Sequence, residues 1–182
     1  MIRVLDFLLS FLGLLVLCPL LLLIWFIVRI ENETPLFFQK RVGRYQKPFT
    51  LVKFRTMRDD TKSLPTHLVD SSAVTLCGRF LRQTKLDELP QLWNVLLGEM
   101  SLVGPRPCLF NQRDLISERE ALGVFNVRPG ITGLSQIKGI DMSFPSLLAK
   151  TDSKMLESLN TFHYFRYIIL SFIGKGFGDN TK

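Results

Sequence analysis

The chain opens with a long apolar run, and shorter amphipathic segments separated by polar loops follow it. No charged residue lies between Phe7 and Val28, a run of 22 residues that is bracketed by Asp6 and Arg29. A helix needs about 20 mainly apolar residues to cross a bilayer. The run therefore predicts a membrane-embedded helix, because the apolar region of a cleaved signal peptide is only about half as long.

Pro19 stands near the middle of this run. A proline inside a helix removes one backbone donor and clashes with the preceding turn, so we expect the helix to break or kink there. Positive charge occurs on both flanks, at Arg3 before the run and at Arg29 and Lys40 after it, which weakly favours a re-entrant hairpin. A kinked helix that spans the membrane is nevertheless the preferred interpretation of the residues alone, because membrane helices tolerate proline.

The rest of the chain predicts a mainly helical α+β fold. Two strand-like segments, 36–42 and 49–57, flank a turn with Gly43 and Pro48 and predict a β-hairpin. Apolar residues at helical spacing predict a short amphipathic helix at 73–82. Further helices are predicted at 88–97, which Gly98 ends, at 110–121, which is polar, and at 153–173, which is rich in aromatic residues. Polar or Gly/Pro-rich composition predicts loops, which lie at 59–72 and 128–133.

Composition and charge narrow the class of protein. The chain has 23 Lys+Arg against 16 Asp+Glu, a net charge of +7, although 47% of its residues are hydrophobic. The segment 39–58 holds seven cations and no acid, so its own charge equals the net charge of the whole chain. Disorder is excluded by the content of large aliphatic residues, and a disulfide-stabilised secreted scaffold is excluded by a count of only 3 cysteines.

Two adjacent acids, Asp87 and Glu88, stand at the predicted start of a helix, because Pro90 is acceptable only in a first turn. Free amides and the helix dipole stabilise an anion there. Two carboxylates can share a Mg²⁺ ion that also binds phosphate oxygens, and one carboxylate can attack phosphorus. Simple N-capping is the alternative interpretation of the same pair.

Basic residues supply candidate anion ligands. The loop 104–107, with the sequence GPRP, holds Arg106 between two prolines, and a guanidinium fixed in this way suits bidentate binding of phosphate. Capping of a helix carboxyl end is the alternative role. Lys53 and Arg55 lie on the second predicted strand, where a solvated face or a contact with anionic lipid would also explain them.

Six sequence segments occur here in order and together resemble a known family. They are Cys18-Pro19, 35–43 (PLFFQKRVG), 53–57 (KFRTM), 86–96 (LDELPQLWNVL), 101–107 (SLVGPRP) and 128–133 (RPGITG). The chain closely resembles the bacterial sugar transferases called monotopic phosphoglycosyl transferases, over nearly its whole length. Its length is similar to that of members that consist of a catalytic core without extra spanning helices.

The resemblance implies an activity and its partners. Members transfer a sugar 1-phosphate from a UDP-sugar to undecaprenyl phosphate by a Mg²⁺-dependent ping-pong reaction, release UMP and initiate a lipid-linked glycan such as an exopolysaccharide or O-antigen. The implied location is the bacterial inner membrane, with the catalytic domain facing the cytoplasm. Membrane lipids are expected partners, nucleic acid is not, and a homodimer is left open.

The resemblance also implies roles for residues. Asp87 would be the nucleophile, and Asp87 and Glu88 would hold Mg²⁺. The substrate ligands would be Lys53, Arg55, Arg82, Arg106 and Gln136. In the loop 134–140 the resemblance implies a substrate contact for Gln136 only. The sequence of this loop, LSQIKGI, lacks the Trp and the Arg of the family's usual WAQVNGR.

The implied topology reverses the preference for a spanning helix. Cys18 and Pro19 would form a re-entrant turn, where many members have Ser-Pro. Residues 1–33 would then be a re-entrant membrane hairpin, and residues 34–182 a cytoplasmic catalytic domain with interfacial helices. A membrane-anchored adaptor without enzymatic activity, with a basic lipid-binding surface, is the alternative function, but it leaves the two acids and the GPRP loop unexplained.

Overall fold

The computed structural model describes residues 1–58 and 73–173. In these ranges the helices are α1 (Ile2–Glu31), α2 (Leu76–Thr84), α3 (Gln91–Leu97), α4 (Arg113–Ala121), α5 (Leu134–Ile137), α6 (Pro145–Ser158) and α7 (Thr161–Phe172). The strands are β1 (Leu36–Val42), β2 (Pro48–Phe54), β3 (Ser101–Val103) and β4 (Gly130–Thr132). A mainly helical α+β fold is confirmed, and the predicted loop at 59–72 lies outside the described residues.

The apolar run forms α1, which is the one helix in the described ranges that is long and apolar enough to cross a membrane. It continues through Pro19 as a single helix, so the chain does not separate into two half-helices as the sequence predicted. A helix can absorb a proline in this way when the surroundings compensate for one missing hydrogen bond. The re-entrant turn at Cys18 and Pro19 stays a prediction.

The N-terminal end of α1 is attached to the folded domain by polar contacts. Arg3 donates to two carbonyls at the end of α3, at 2.6 and 3.0 Å. Asp6 is 2% exposed, and its Oδ1 accepts hydrogen bonds from the Ser101 hydroxyl and the Leu102 amide, both at 2.9 Å. The Tyr164 hydroxyl of α7 donates to the same oxygen at 2.8 Å. A buried carboxylate with three donors joins α1, β3 and α7 at one point.

The other end of α1 is attached by apolar packing. Ile24 and Val28 are buried in a cluster with Phe54 of β2 and Leu81 of α2. Between Ser10 and Ile24 no residue of α1 is buried. The exposed apolar side chains of this middle part include Phe11, Leu12, Leu15, Val16, Leu22 and Leu23. Both ends of α1 therefore contact the same domain. Along the middle, one side of the helix faces the domain, where a Cβ atom on Gly13 would lie 3.3 Å from the Leu92 side chain, and the other side exposes these apolar residues.

The predicted β-hairpin is confirmed. β1 and β2 pair antiparallel, with Leu36 opposite Phe54 and Val42 opposite Pro48. The second strand ends at Phe54 and not at residue 57, because Met57 leaves the hairpin and forms an isolated bridge with Val74. The bridge places the segment after β2 next to the residues that precede α2.

The prediction of an irregular loop at 128–133 is wrong at its centre. Residues 130–132 form β4, which pairs in parallel with β3 through Ser101 opposite Gly130 and Val103 opposite Thr132. A Cβ atom on Gly130 would lie 2.0 Å from the Gly104 backbone nitrogen, so only glycine allows this approach. Local composition did not indicate the strand because its partner is distant in sequence.

The helices differ from the predicted ones mainly at their ends. α2 covers Leu76–Thr84 and α4 begins at Arg113, later than predicted. The predicted helix at 153–173 is two helices, because α6 ends at Ser158 and the Asn160 side chain caps α7 by accepting from the His163 amide at 2.9 Å. Asparagine is favoured at this position because its side chain satisfies a free amide.

Candidate active site

The two adjacent acids lie in a tight turn between α2 and α3. α2 is followed by Lys85 in the left-handed conformation, with φ 57°, and a single 3₁₀ turn then covers Leu86–Glu88. Pro90 precedes the first residue of α3. The predicted helix at 88–97 therefore starts three residues late, and the acids precede it. The turn leaves Asp87 5% exposed, so the carboxylate is inside the domain.

Three cations from separate elements surround Asp87. Lys53 comes from β2, Arg82 from α2 and Arg106 from the loop after β3, and all three act electrostatically on the Asp87 carboxylate. Arg106 Nη2 lies 3.3 Å from Glu88 Oε1. The structure therefore brings together five residues that the sequence proposed for one site.

Burial and charge set the protonation of this cluster. Burial, followed by the like charge of Glu88, raises the pKa of Asp87 from 3.8 to about 6, although the three cations oppose the shift. Burial likewise lowers the pKa of Lys53. No residue in the described ranges donates a hydrogen bond to the Asp87 carboxylate. Asp87 is therefore an ionisable, poorly solvated carboxylate, which is the state expected of a nucleophile.

Arg82 is fixed in direction by the segment that follows β2. Its Nε donates to the Thr56 hydroxyl at 2.8 Å, and Thr56 is buried. The Thr56 carbonyl also lies against Gly78 of α2, where a Cβ atom would come within 2.1 Å of it. This close approach of α2 to the chain after β2 holds Arg82 beside Lys53.

Arg55 and Gln136 have other contacts. Arg55 Nε donates to the Thr34 carbonyl at 2.9 Å, and its guanidinium lies 5.7 Å from the Phe37 ring centre. Gln136 Nε2 donates to the Ile131 carbonyl at 2.8 Å, which fixes the chain after β4. Neither side chain contacts Asp87 or Glu88 within the described residues, so their roles as substrate ligands stay predictions.

The sequence did not identify a second charged group, which lies behind Arg106. Arg119 of α4 is 1% exposed and binds Asp152 Oδ2 through Nε at 3.1 Å and through Nη2 at 2.7 Å. Its Nη1 donates to the Arg106 carbonyl at 2.8 Å. A signal was present, because Arg119 follows the buried Leu115 by four residues and so shares the buried face of α4.

The donor set fits Mg²⁺ that is shared with a substrate. No group of three or more His, Cys, Asp and Glu side chains that could hold a metal occurs in the described part of the chain. Mg²⁺ is commonly held by one or two carboxylates together with phosphate oxygens and water. Asp87 and Glu88 supply such a pair, whereas a cage made only of protein ligands is not available among these residues.

These features define a class of protein. A buried carboxylate among three cations lies on a domain that contacts both ends of a helix long and apolar enough to cross a membrane. Residues 1–175 match the family described as bacterial sugar transferase, and the chain belongs to this family.

Named relatives support the assignment. The chain is 49% identical over 114 residues to the uncharacterized sugar transferase EpsL of Bacillus subtilis, covering 62% of this chain and 56% of the relative. It is 43% identical over 143 residues to the UDP-glucose:undecaprenyl-phosphate glucose-1-phosphate transferase of Caulobacter vibrioides, covering 76% and 54%. It is 37% identical over 166 residues to the exopolysaccharide production protein ExoY of Sinorhizobium fredii, covering 81% and 73%. The chain thus spans about half the length of the first two relatives.

Proposed function

We propose that this protein transfers a sugar 1-phosphate from a UDP-sugar to undecaprenyl phosphate and releases UMP, as the first step of a lipid-linked glycan. The names of relatives, such as that from Caulobacter vibrioides, support the substrates. The observation that carries the chemistry is the buried Asp87 carboxylate, which lies among Lys53, Arg82 and Arg106. A buried carboxylate and a diphosphate are both negative and repel each other. The three cations offset this repulsion, so the carboxylate can approach the diphosphate.

The first half of the reaction forms a covalent intermediate. An ionised Asp87 oxygen attacks the phosphorus that bears the sugar, and the bond from that phosphorus to the bridging oxygen of the diphosphate breaks. UMP leaves with the bonding electrons, and the sugar phosphate remains on Asp87 as an acyl phosphate. Arg106 and Arg82 bind the charge that moves to the leaving phosphate, since guanidinium groups bind phosphate bidentately.

The second half regenerates the carboxylate. An oxygen of undecaprenyl phosphate attacks the same phosphorus, the bond to Asp87 breaks, and a polyprenyl diphosphate sugar forms. Mg²⁺, when bound by Asp87 and Glu88, would neutralise phosphate charge in both steps. Lys53 would place its amine beside the reacting phosphorus, where burial lowers the pKa of that group.

We also propose that both ends of α1 lie on one side of the membrane, the cytoplasmic side of the inner membrane, where UDP-sugars are available. Arg3 and Asp6 bond to α3 and β3, and Ile24 and Val28 pack on β2 and α2. A helix that spans the bilayer separates its ends by about 30 Å of hydrocarbon. A single polar domain cannot contact both ends across that distance.

The activity is tested by the nucleotide that is released. Incubation of the protein with UDP-glucose or UDP-galactose, Mg²⁺ and undecaprenyl phosphate should release UMP. Without the lipid acceptor, labelled UMP should exchange into the UDP-sugar, because a ping-pong reaction reverses its first half alone. Release of UDP would instead indicate cleavage of the sugar–oxygen bond, and no release with any UDP-sugar would favour the adaptor.

The topology is tested by cysteine labelling in cells. The native cysteines are replaced by serine, and Val4→Cys or Lys40→Cys is introduced, since both positions are exposed. An impermeant thiol reagent that is added outside should label neither cysteine until the cells are opened. Labelling of Val4→Cys alone from outside would show that α1 spans the membrane.

A further inference from the structure

The loop 104–107, which carries Arg106, is tied at both ends by backbone hydrogen bonds. The Gly104 amide donates to the Thr132 carbonyl of β4 at 2.8 Å. The Val42 amide at the end of β1 donates to the Cys108 carbonyl at 3.0 Å. These bonds fix where the loop enters and leaves the domain, but they do not reach the carbonyls on either side of the second proline.

Two arginine side chains reach those carbonyls. Arg119 Nη1 donates to the Arg106 carbonyl at 2.8 Å, and Arg41 Nη1 donates to the Pro107 carbonyl at 3.1 Å. A loop with two prolines has few amides of its own with which to form a regular turn. The Gly130 amide of β4 donates to the Pro105 carbonyl at 2.9 Å. The guanidinium groups supply the donors for the two carbonyls that follow, those of Arg106 and Pro107.

Arg119 is itself fixed by a closed, buried cluster. Its Nε and Nη2 bind Oδ2 of Asp152, which is 0% exposed. The Ser135 hydroxyl donates to Oδ1 of the same carboxylate. Because all three polar groups are satisfied, Arg119 has one preferred geometry, and that geometry directs Nη1 toward the loop.

We propose that Arg119 and Arg41 are positioning residues that fix the direction of Arg106 toward the phosphates of the substrate. The inference rests on the proposed function of Arg106 as a phosphate ligand. Neither arginine needs to contact substrate. Each acts through a backbone carbonyl at or next to Arg106, so a small shift of that carbonyl turns the guanidinium away from its target and from Glu88, 3.3 Å distant.

A double-mutant cycle tests this inference. Arg119→Lys keeps the positive charge beside Asp152, but a single ammonium cannot bind Asp152 and reach the Arg106 carbonyl in the same geometry. We expect kcat/KM for UMP release from UDP-glucose or UDP-galactose to fall about 10- to 100-fold. In the Arg106→Lys background the same change should cost less than about 3-fold, because the positioned group is already lost.

Arg113→Lys is the matched control for this cycle. It makes the same exchange at an exposed position of the same helix, so it should leave kcat/KM unchanged in both backgrounds. If Arg119→Lys causes the same loss in both backgrounds, the inference is overturned and the role of Arg119 is general stability. If Arg106→Lys is itself fully active and folded, the proposed role of Arg106 fails, and this inference fails with it.

Arg41 provides the test if Arg119→Lys does not fold. Arg41 is only half-buried, lies outside the Asp152 cluster and binds Gln39 Oε1 at 2.6 Å. Arg41→Lys should lower kcat/KM about 3- to 10-fold, again with little further effect beside Arg106→Lys. Arg44→Lys, which changes an arginine that donates to the Asn126 carbonyl, is its control. Full activity of Arg41→Lys would exclude the arginine from positioning.

Discussion

Asp87 and Asp152 are both buried carboxylates near arginines, but their surroundings differ. Asp152 is 0% exposed, and both of its oxygens accept hydrogen bonds, Oδ2 from Arg119 and Oδ1 from Ser135. Asp87 is 5% exposed, and no described residue donates a hydrogen bond to its carboxylate. Its cations act on it through electrostatic attraction alone.

The difference shows that two buried acids can have very different hydrogen bonding, so burial alone does not single out Asp87 as the proposed nucleophile. Burial raises the pKa of both carboxylates, but direct hydrogen bonds from Arg119 and Ser135 oppose the shift at Asp152. At Asp87 the neighbouring Glu88 adds to the shift. Asp152 is saturated by the protein and holds the fold, whereas the oxygens of Asp87 stay available to bond a metal or phosphorus.

The largest effect that would separate the two acids is on activity. Asp87→Asn removes the proposed nucleophile, so UMP release should fall by about 10⁴-fold or more, and no sugar phosphate should be found on the peptide that contains residue 87. The measurement is a quench of the reaction without acceptor, followed by mass spectrometry. Asp152→Asn should still form the adduct in the fraction that is folded. An adduct on Asp87→Asn protein would show that another residue is the nucleophile.

The next effect is on stability, and it should be larger at Asp152. Asp152→Asn leaves the buried Arg119 charge without its counterion, which costs about 3–5 kcal/mol of unfolding free energy. Replacing both partners, as Arg119→Met with Asp152→Leu, should recover most of that stability because no charge is then buried. The comparison is made by thermal unfolding in one detergent. A full loss in the double variant would mean that packing, and not charge, is the cause.

That double variant also separates stability from positioning. If Arg119 holds the Arg106 carbonyl, the recovered protein should be stable and still have low activity for UMP release. Recovery of both properties would remove Arg119 from any role in the site.

Much of the reactive site could be predicted from the sequence because its signals are local. Asp87 and Glu88 are adjacent, and Arg106 is marked by its flanking prolines. The family resemblance added Lys53 and Arg82, which the structure brings to the same place from different elements. These residues lie in short motifs that can be recognised in the sequence without knowledge of the fold.

The supporting structure could not be predicted because its contacts join distant residues. Arg119 and Asp152 are 33 positions apart, and β4 pairs with a strand that begins at Ser101. Parallel pairs of three residues have too little length for a periodic pattern. At Pro19 the sequence left a break and a kinked single helix open, because a proline weakens a helix locally, whereas contacts of both ends of α1 with the domain are not visible in the sequence.

A smaller effect is the contribution of Asp87 to the pH dependence of the protein's stability. The folded-state pKa of about 6 lies above the ordinary 3.8, so folding favours the protonated acid, and stability falls as pH rises from about 4 through 6. The asparagine of the Asp87→Asn variant carries no charge. Above pH 6 this variant should therefore be more stable than the unchanged protein, by up to about 3 kcal/mol. This gain should disappear below about pH 4.

Thermal unfolding of both proteins between pH 4 and pH 8, without Mg²⁺, measures this difference. Asp114→Asn, at an exposed position of α4, is the matched control. A gain in stability for Asp87→Asn that is the same at every pH would assign it to packing and would contradict a raised pKa.

The smallest predicted effect is a shift in the pH profile of the reaction. Because Asp87 must be ionised to attack phosphorus, kcat/KM should fall below a pH of about 6. Glu88 raises the pKa of Asp87 and Lys53 lowers it. Glu88→Gln should therefore move the acidic limb to lower pH, and Lys53→Gln should move it to higher pH, each by about one unit or less.

Opposite directions of these two shifts would distinguish Asp87, the proposed nucleophile, from Asp152. Initial rates of UMP release are measured at low UDP-sugar, where the profile reports ionisation in the free enzyme, and at a Mg²⁺ concentration low enough to leave most of the free enzyme without metal. Lys47→Gln, at an exposed position of the hairpin turn, should leave the limb in place. If the limb belonged to Asp152, neither Glu88→Gln nor Lys53→Gln would move it. Equal shifts in one direction would indicate a general change of charge and would exclude direct pairing with Asp87.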